Sequence, residues 1–97
     1  MNNSNEISLK EAIKKFLNAN PYIRDKVNER NIEKIWEKVM GKMIVRHTQK
    51  ITIKNKVITI EINSASLRHE LSFAKEKIKT LINTESGEEI IEEVRFK

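Results

Sequence analysis

Apolar residues near the start of the chain fall at helical spacing. Leu9, Ala12, Ile13, Phe16 and Leu17 occupy positions i, i+3, i+4, i+7 and i+8, the single stripe of an amphipathic helix. Ser8-Leu9-Lys10-Glu11 reads as a capping box ahead of that stripe. Residues 1–7 are mostly polar and are expected to be a flexible lead-in to one domain spanning 8–97. Pro21 biases Asn20 away from helical geometry, so the helix ends between Asn18 and Pro21. Tyr22 to Arg30 shows no clear period beyond a short turn carrying Tyr22, Ile23 and Val27. From Asn31 the stripe returns in Ile32, Ile35, Trp36, Val39 and Met40, with Gly41 as the expected stop. Met43, Ile44 and Val45 then form a short apolar connection.

The period next changes to two. Ile51 and Ile53 alternate with Lys50, Thr52 and Lys54, and Ile58, Ile60 and Ile62 alternate with Val57, Thr59 and Glu61. A two-residue loop at Asn55-Lys56 makes this a hairpin and fixes its register. Residue 54 faces 57, 53 faces 58, 52 faces 59 and 50 faces 61. That register stacks Ile53 on Ile58 and Ile51 on Ile60, and pairs Thr52 with Thr59 and Lys50 with Glu61 on the other face. A slip of one residue would lose every one of these pairs.

Ser64 or Ser66 caps a third helix, whose stripe is Leu67, Leu71, Ala74, Ile78, Leu81 and Ile82. Asn83 to Gly87 breaks it, and Ile90 to Lys97 reads as a last strand. The order α-α-β-β-α-β predicts a two-layer α+β domain with a three-stranded sheet. If the second and third strands are parallel, their crossover should be right-handed.

With 97 residues the chain forms one domain, and 15 isoleucines supply its core. It has no cysteine, which removes disulfides, thiolate metal sites and cysteine nucleophiles. No apolar run approaches the length of a membrane helix, and the N-terminus lacks the pattern of a secretory signal, so a cytoplasmic protein is expected. The net charge is +5 and unevenly spread. Residues 42–79 carry nine Lys/Arg against three Asp/Glu, whereas residues 80–97 carry two against five. A basic block followed by an acidic end suits a phosphate polymer or an acidic protein as partner.

Enzyme signatures are absent, and none is expected to emerge. The only glycines are Gly41 and Gly87, too far apart for a phosphate loop. His69-Glu70 has no second histidine at the zinc-protease spacing, and His47 and His69 imply no third ligand, so no metal and no cofactor are expected. Ser64 and Ser66 near His69 are explained by capping, and Glu88, Glu89, Glu92 and Glu93 by solvation. Trp36 lies in an apolar stripe and reads as core; Phe73 falls off its stripe and is either a flank of the core or an exposed contact. The candidate nucleic-acid-binding residues are Lys42, Arg46, Lys54, Lys56, Arg68, Lys75 and Lys79. They would track a phosphate backbone if the hairpin tip, the preceding connection and one helix flank converge. The strands carry no interleaved aromatics that could read bases.

Several segments together resemble the DciA-like family, which is associated with the bacterial replicative helicase. They are Ile35-Trp36-Glu37-Lys38-Val39-Met40-Gly41, His47-Thr48, Ile53-Lys54-Asn55-Lys56-Val57-Ile58, Ser64-Ala65-Ser66-Leu67-Arg68-His69-Glu70-Leu71 and Val94-Arg95-Phe96. The resemblance runs from Ser8 to Lys97. It implies a K-homology-like module and a role in DNA replication, through binding of single- or double-stranded DNA and contact with the helicase. It implies no membrane and no small-molecule substrate. The Gly-x-x-Gly loop of RNA-binding K-homology domains is missing, because Gly41 is followed by Lys42-Met43-Ile44, so phosphate clamping by that loop does not carry over. Longer relatives add a basic disordered extension, and this chain, ending at Lys97, is expected to be a short form with the folded module only. The competing reading is a module that docks on the helicase, through Glu88 to Glu93 or Phe73, without touching DNA.

Overall fold

The computed structural model describes the backbone of residues 3–97 and the side chains of residues 8–97. Its elements are α1 (Asn3–Ala19), α2 (Pro21–Arg46), β1 (Thr48–Lys54), β2 (Val57–Ile62), α3 (Ala65–Ser72), α4 (Lys75–Ser86) and β3 (Glu93–Phe96). The expected α+β order holds, with the third helical segment delivered as two helices.

The hairpin forms as its alternation dictates. β1 and β2 are antiparallel, with Lys50↔Glu61, Ile51↔Ile60, Thr52↔Thr59, Ile53↔Ile58 and Lys54↔Val57 in register. Asn55 and Lys56 both take positive φ, 51° and 65°, as a type I′ turn requires, although lysine pays steric strain there. β3 adds parallel to β2, with Ile58↔Val94 and Thr59↔Arg95 paired, so the order is β1-β2-β3. One sheet face carries Ile51, Ile53, Ile58, Ile60, Ile62 and Val94 into the core, where Ile32 and Trp36 of α2 and Ile78 and Ile82 of α4 meet them. The opposite face carries the intervening polar positions.

Four boundaries differ from the sequence pattern, each for a physical reason. Helix α1 is already formed at Asn3, because nothing between Asn3 and Ser8 breaks a helix; residues 1 and 2 of the expected flexible segment lie outside the described residues. Helix α2 starts at Pro21, whose fixed φ suits the first helical position. Its inward stripe continues back from Trp36 and Ile32 to Glu29 and Asp25, which are polar, so a search for apolar periodicity passes over it. At Gly41 the backbone enters a region open to glycine, φ 83° and ψ 171°, and kinks. The helix then resumes through Arg46, so Met43 to Val45 is a helical turn and not an open connection. Ser72 Oγ donates to the His69 carbonyl, a local bond that competes with helix propagation, and α3 gives way to α4 at Phe73-Ala74. The apolar stripe keeps its phase across that break, which is why it is invisible in the pattern. No helix is long and apolar enough to cross a membrane among the described residues.

Three polar devices lock the packing. At the free edge of β1, the Ile53 N–H donates to Glu29 Oε2 (2.9 Å) and the Asn55 N–H donates to Asp25 Oδ2 (3.4 Å). The other oxygen of each carboxylate faces a cation of its own helix, Lys26 and Arg24 respectively. Trp36 Nε1 donates to Thr48 Oγ1 (2.9 Å), which donates to the Ile44 carbonyl (2.7 Å), tying the end of α2 to the start of β1. At the far end of α4, Asn83 Oδ1 accepts from Ile90 and Ile91 and its amide donates to the Ile91 carbonyl, which sets the approach to β3.

Glu29→Ala strips the Ile53 N–H of its partner at a half-buried site and should cost about 1–3 kcal/mol, whereas Glu29→Gln, which keeps an acceptor, should cost less. Asn83→Ala, which breaks three bonds at once, should cost at least as much. Urea denaturation followed by circular dichroism measures all three; equal stability of Glu29→Ala and wild type would show that the edge bond contributes nothing.

Candidate nucleic-acid interface

The seven basic candidates are distributed by the strand register before any side chain is considered. Arg46 ends α2 and Lys42 lies one turn earlier, beyond the Gly41 kink. His47 follows, with its carbonyl accepting from the Asn63 N–H and its Nδ1 2.8 Å from Asn63 Oδ1. Arg46 therefore sits where β1 begins and β2 ends. Arg68 belongs to the same end: its Nη1 donates to the Ile62 carbonyl at 2.6 Å. That bond fastens α3 to the last residue of β2, so half-buried Arg68 has a structural task and little freedom to reach a phosphate.

Lys54 and Lys56 stand at the opposite end, around the turn. The paired strands between the two ends span six residue steps, roughly 20 Å at the usual rise. Lys56 Nζ lies 3.9 Å from Glu92 Oε1. On α4, Lys79 is half-buried and 3.0 Å from Glu76. Lys75 is exposed and near enough to Glu93 to act on its charge. The Arg95 guanidinium, bonded to Glu93 at 2.7 Å, holds the Glu93 carboxyl below the usual carboxylate range, with Lys75 adding to it; Arg95 is raised in return. Glu85 likewise raises Lys38 through a 2.7 Å bridge between α4 and α2.

The expected convergence is therefore not what the fold builds. Lys42 and Arg46 gather at one end of the sheet and Lys54 at the other; these three and Lys75 are the members of the seven with neither an ion pair nor a backbone tether among the described residues. The pattern missed one feature that alternation could have shown. The outward sheet face lines up Lys50, Thr52 and Lys54 of β1, Val57, Thr59 and Glu61 of β2, and Glu93 and Arg95 of β3. Arg95, on edge strand β3, thus stands beside Thr59, in a row with Thr52 across that face. Trp36 is fully buried, as its stripe indicates, and offers no platform. Phe73 is 76% exposed, with its ring edge-on to His69 at 4.9 Å.

Against known proteins, residues 8–96 match the family model described as Dna[CI] antecedent, DciA, a family whose role is connected with helicase loading in replication. No curated protein and no solved structure gives a match, so the K-homology comparison has no solved relative behind it. The matched span takes in the α1 stripe, the hairpin, both short helices and β3, and on that ground the chain belongs to the DciA family.

Proposed function

We propose that this chain is a non-enzymatic accessory of replicative-helicase loading whose grip on DNA is electrostatic, weak and indifferent to sequence. The observation that carries the replication part is the family match across the whole fold. The DNA part is supported by Lys42, Arg46 and Lys54, which are exposed and uncompensated. The outward sheet face carries no aromatic side chain, so base stacking has no platform there and phosphates are what remains to be held. On this reading the protein works in the bacterial cytoplasm, where helicase loading on the chromosome takes place.

A second reading has an observation in its favour. Lys56 and Lys79 are close to acids, Lys75 lies near Glu93 and Arg68 is spent on the Ile62 carbonyl. Candidates taken up in this way suit a module that docks on the helicase and leaves DNA to others.

Fluorescence anisotropy with labelled single- and double-stranded oligonucleotides at several salt concentrations separates the two. Two or three neutralised phosphates give a log–log salt slope of about −2 to −3 on duplex. Combining Lys42→Glu, Arg46→Glu and Lys54→Glu should abolish binding while the circular dichroism spectrum stays native. Absence of binding at low salt, with helicase co-elution retained, rejects the DNA part in favour of docking alone. Arg68→Ala should lower stability by about 1–2 kcal/mol through loss of a charge-assisted bond, and leave the affinity of the folded protein for DNA unchanged. A tenfold loss of affinity without loss of stability would instead return Arg68 to the interface.

A further inference from the structure

An antiparallel edge strand turns alternate backbone groups away from its neighbour, and β1 is such a strand. The Ile60 carbonyl and the Ile62 N–H bond to Lys97, on the β3 side, so the residues facing them on β1 point outward. Helix α2 takes the Ile53 N–H with Glu29 and the Asn55 N–H with Asp25. The outward N–H and carbonyl of Ile51 find no partner among the described residues, although Ile51 is only 7% exposed. Glu33 is the next residue at the spacing of Asp25 and Glu29, but it is exposed and stands in the wall of a groove instead. That groove, of about 210 Å³, runs between α2 and this stretch of β1, and its lining includes Trp36, Val45, Thr48 and Ile51. A free donor and acceptor on a nearly buried residue, beside an apolar groove, form a site shaped for another backbone.

We infer that the β1 edge at Ile51 takes an extended peptide segment of a partner protein, with an apolar side chain in the groove and acidic side chains on the outward sheet face. The inference goes beyond the helicase-loading reading and does not depend on it. A peptide residue set opposite Ile51 exchanges backbone hydrogen bonds with it and turns its side chain the same way, towards Trp36 and Val45. The residues on either side of it point outward beside Lys50 and Thr52. Lys50 has no ion pair among the described residues, so a carboxylate suits that position. Glu29 closes the edge on one side of Ile51, and the register irregularity between Thr48 and Lys50 bends it on the other, so the paired stretch is about three residues long. A second copy of this chain is the wrong occupant. Antiparallel self-pairing of Ile51 with Gln49 sets Lys50 directly against Lys50, and pairing it with Ile51 or Ile53 needs the Ile53 N–H that Glu29 already holds. A phosphate polymer is wrong as well, because the Glu33 carboxylate stands in the groove wall.

The test titrates the isotope-labelled full chain with the blocked peptide Thr-Glu-Val-Glu-Thr and follows backbone amides by nuclear magnetic resonance. In the free protein the Ile51 amide should exchange with solvent faster than that of Thr52, which bonds to β2. The peptide should give saturable shifts at Ile51 and at the Trp36 indole N–H, and slow the exchange of Ile51. The same peptide N-methylated at valine lacks the donor for the Ile51 carbonyl and should bind about tenfold more weakly. Lys50→Glu should weaken the acidic peptide and strengthen one with lysine in place of glutamate. Glu33→Trp, which fills the groove from an exposed helical position, should abolish binding with the melting temperature unchanged. The inference is overturned if the peptide does not bind, if its shifts lie away from β1, or if the N-methylated peptide binds equally well. Slow exchange of Ile51 in the free protein overturns it too, since the edge is then already closed. Concentration-dependent dimerisation that shifts Ile51, or an oligonucleotide that shifts it where the peptide does not, gives the edge to another occupant and has the same force.

Discussion

The bond between the Ile53 N–H and the Glu29 carboxylate states the constraint on which this fold depends: β1 is an edge strand, and its outward backbone donors must be satisfied by something other than a fourth strand. Helix α2 does this with the same face that fills the core. Asp25, Glu29, Ile32 and Trp36 recur at helical spacing, so the acidic half of the stripe lies along the strand edge and the apolar half lies over the sheet. Pull α2 away and β1 loses both its apolar cover and its edge partners. The hairpin alone would be marginal, because two strands with one bare apolar face do not hold in water. The Trp36–Thr48–Ile44 relay then fixes the angle at which the chain leaves α2 for β1, and with it the register of everything downstream.

The same economy shapes the surface. Each of the two inward carboxylates accepts from a strand with one oxygen and faces Arg24 or Lys26 with the other, so acids and their local cations are taken up in structure near the hairpin tip. At the other edge of the sheet Glu93 engages Arg95. Among the seven candidates, Lys42 and Arg46 are left unpaired at one end of a six-residue ladder and Lys54 at the other. Their separation comes from the register, which in turn comes from isoleucine stacking. Charge placement here is a by-product of core packing.

How far the sequence could be read follows from which signals are local. The hairpin register from Lys50 to Glu61 was legible because alternation, a two-residue loop and favourable pairs on both faces all select it, whereas the irregularity between Thr48 and Lys50 leaves no mark in the alternation. Gly41 and Gly87 were legible as interruptions because the backbone at each takes a positive φ. The first half of α2 was not legible, since Asp25 and Glu29 are inward residues that look like solvated ones until the strand edge they serve is known. The α3–α4 break was hidden because the apolar phase runs through it unaltered. The basic candidates illustrate the deeper limit: a charge run fixes how many cations there are, but whether they converge depends on strand direction and on tethers such as Arg68 to Ile62, which are tertiary facts.

On the proposed reading, a grip through two or three phosphates is weak at cellular salt, while Leu9, Ile13 and Phe16 of α1 stay exposed. These two properties fit together if the protein acts while attached elsewhere. A protein-docked module meets nearby DNA at an effective concentration set by its tether, so contacts too weak to hold alone suffice, and they are released without a large barrier when DNA must be handed on. Tight, convergent basic binding would work against such a hand-over, because the dissociation rate falls as affinity rises. On the proposed reading, dispersed lysines keep a DNA contact light enough to be temporary and leave affinity to a protein contact.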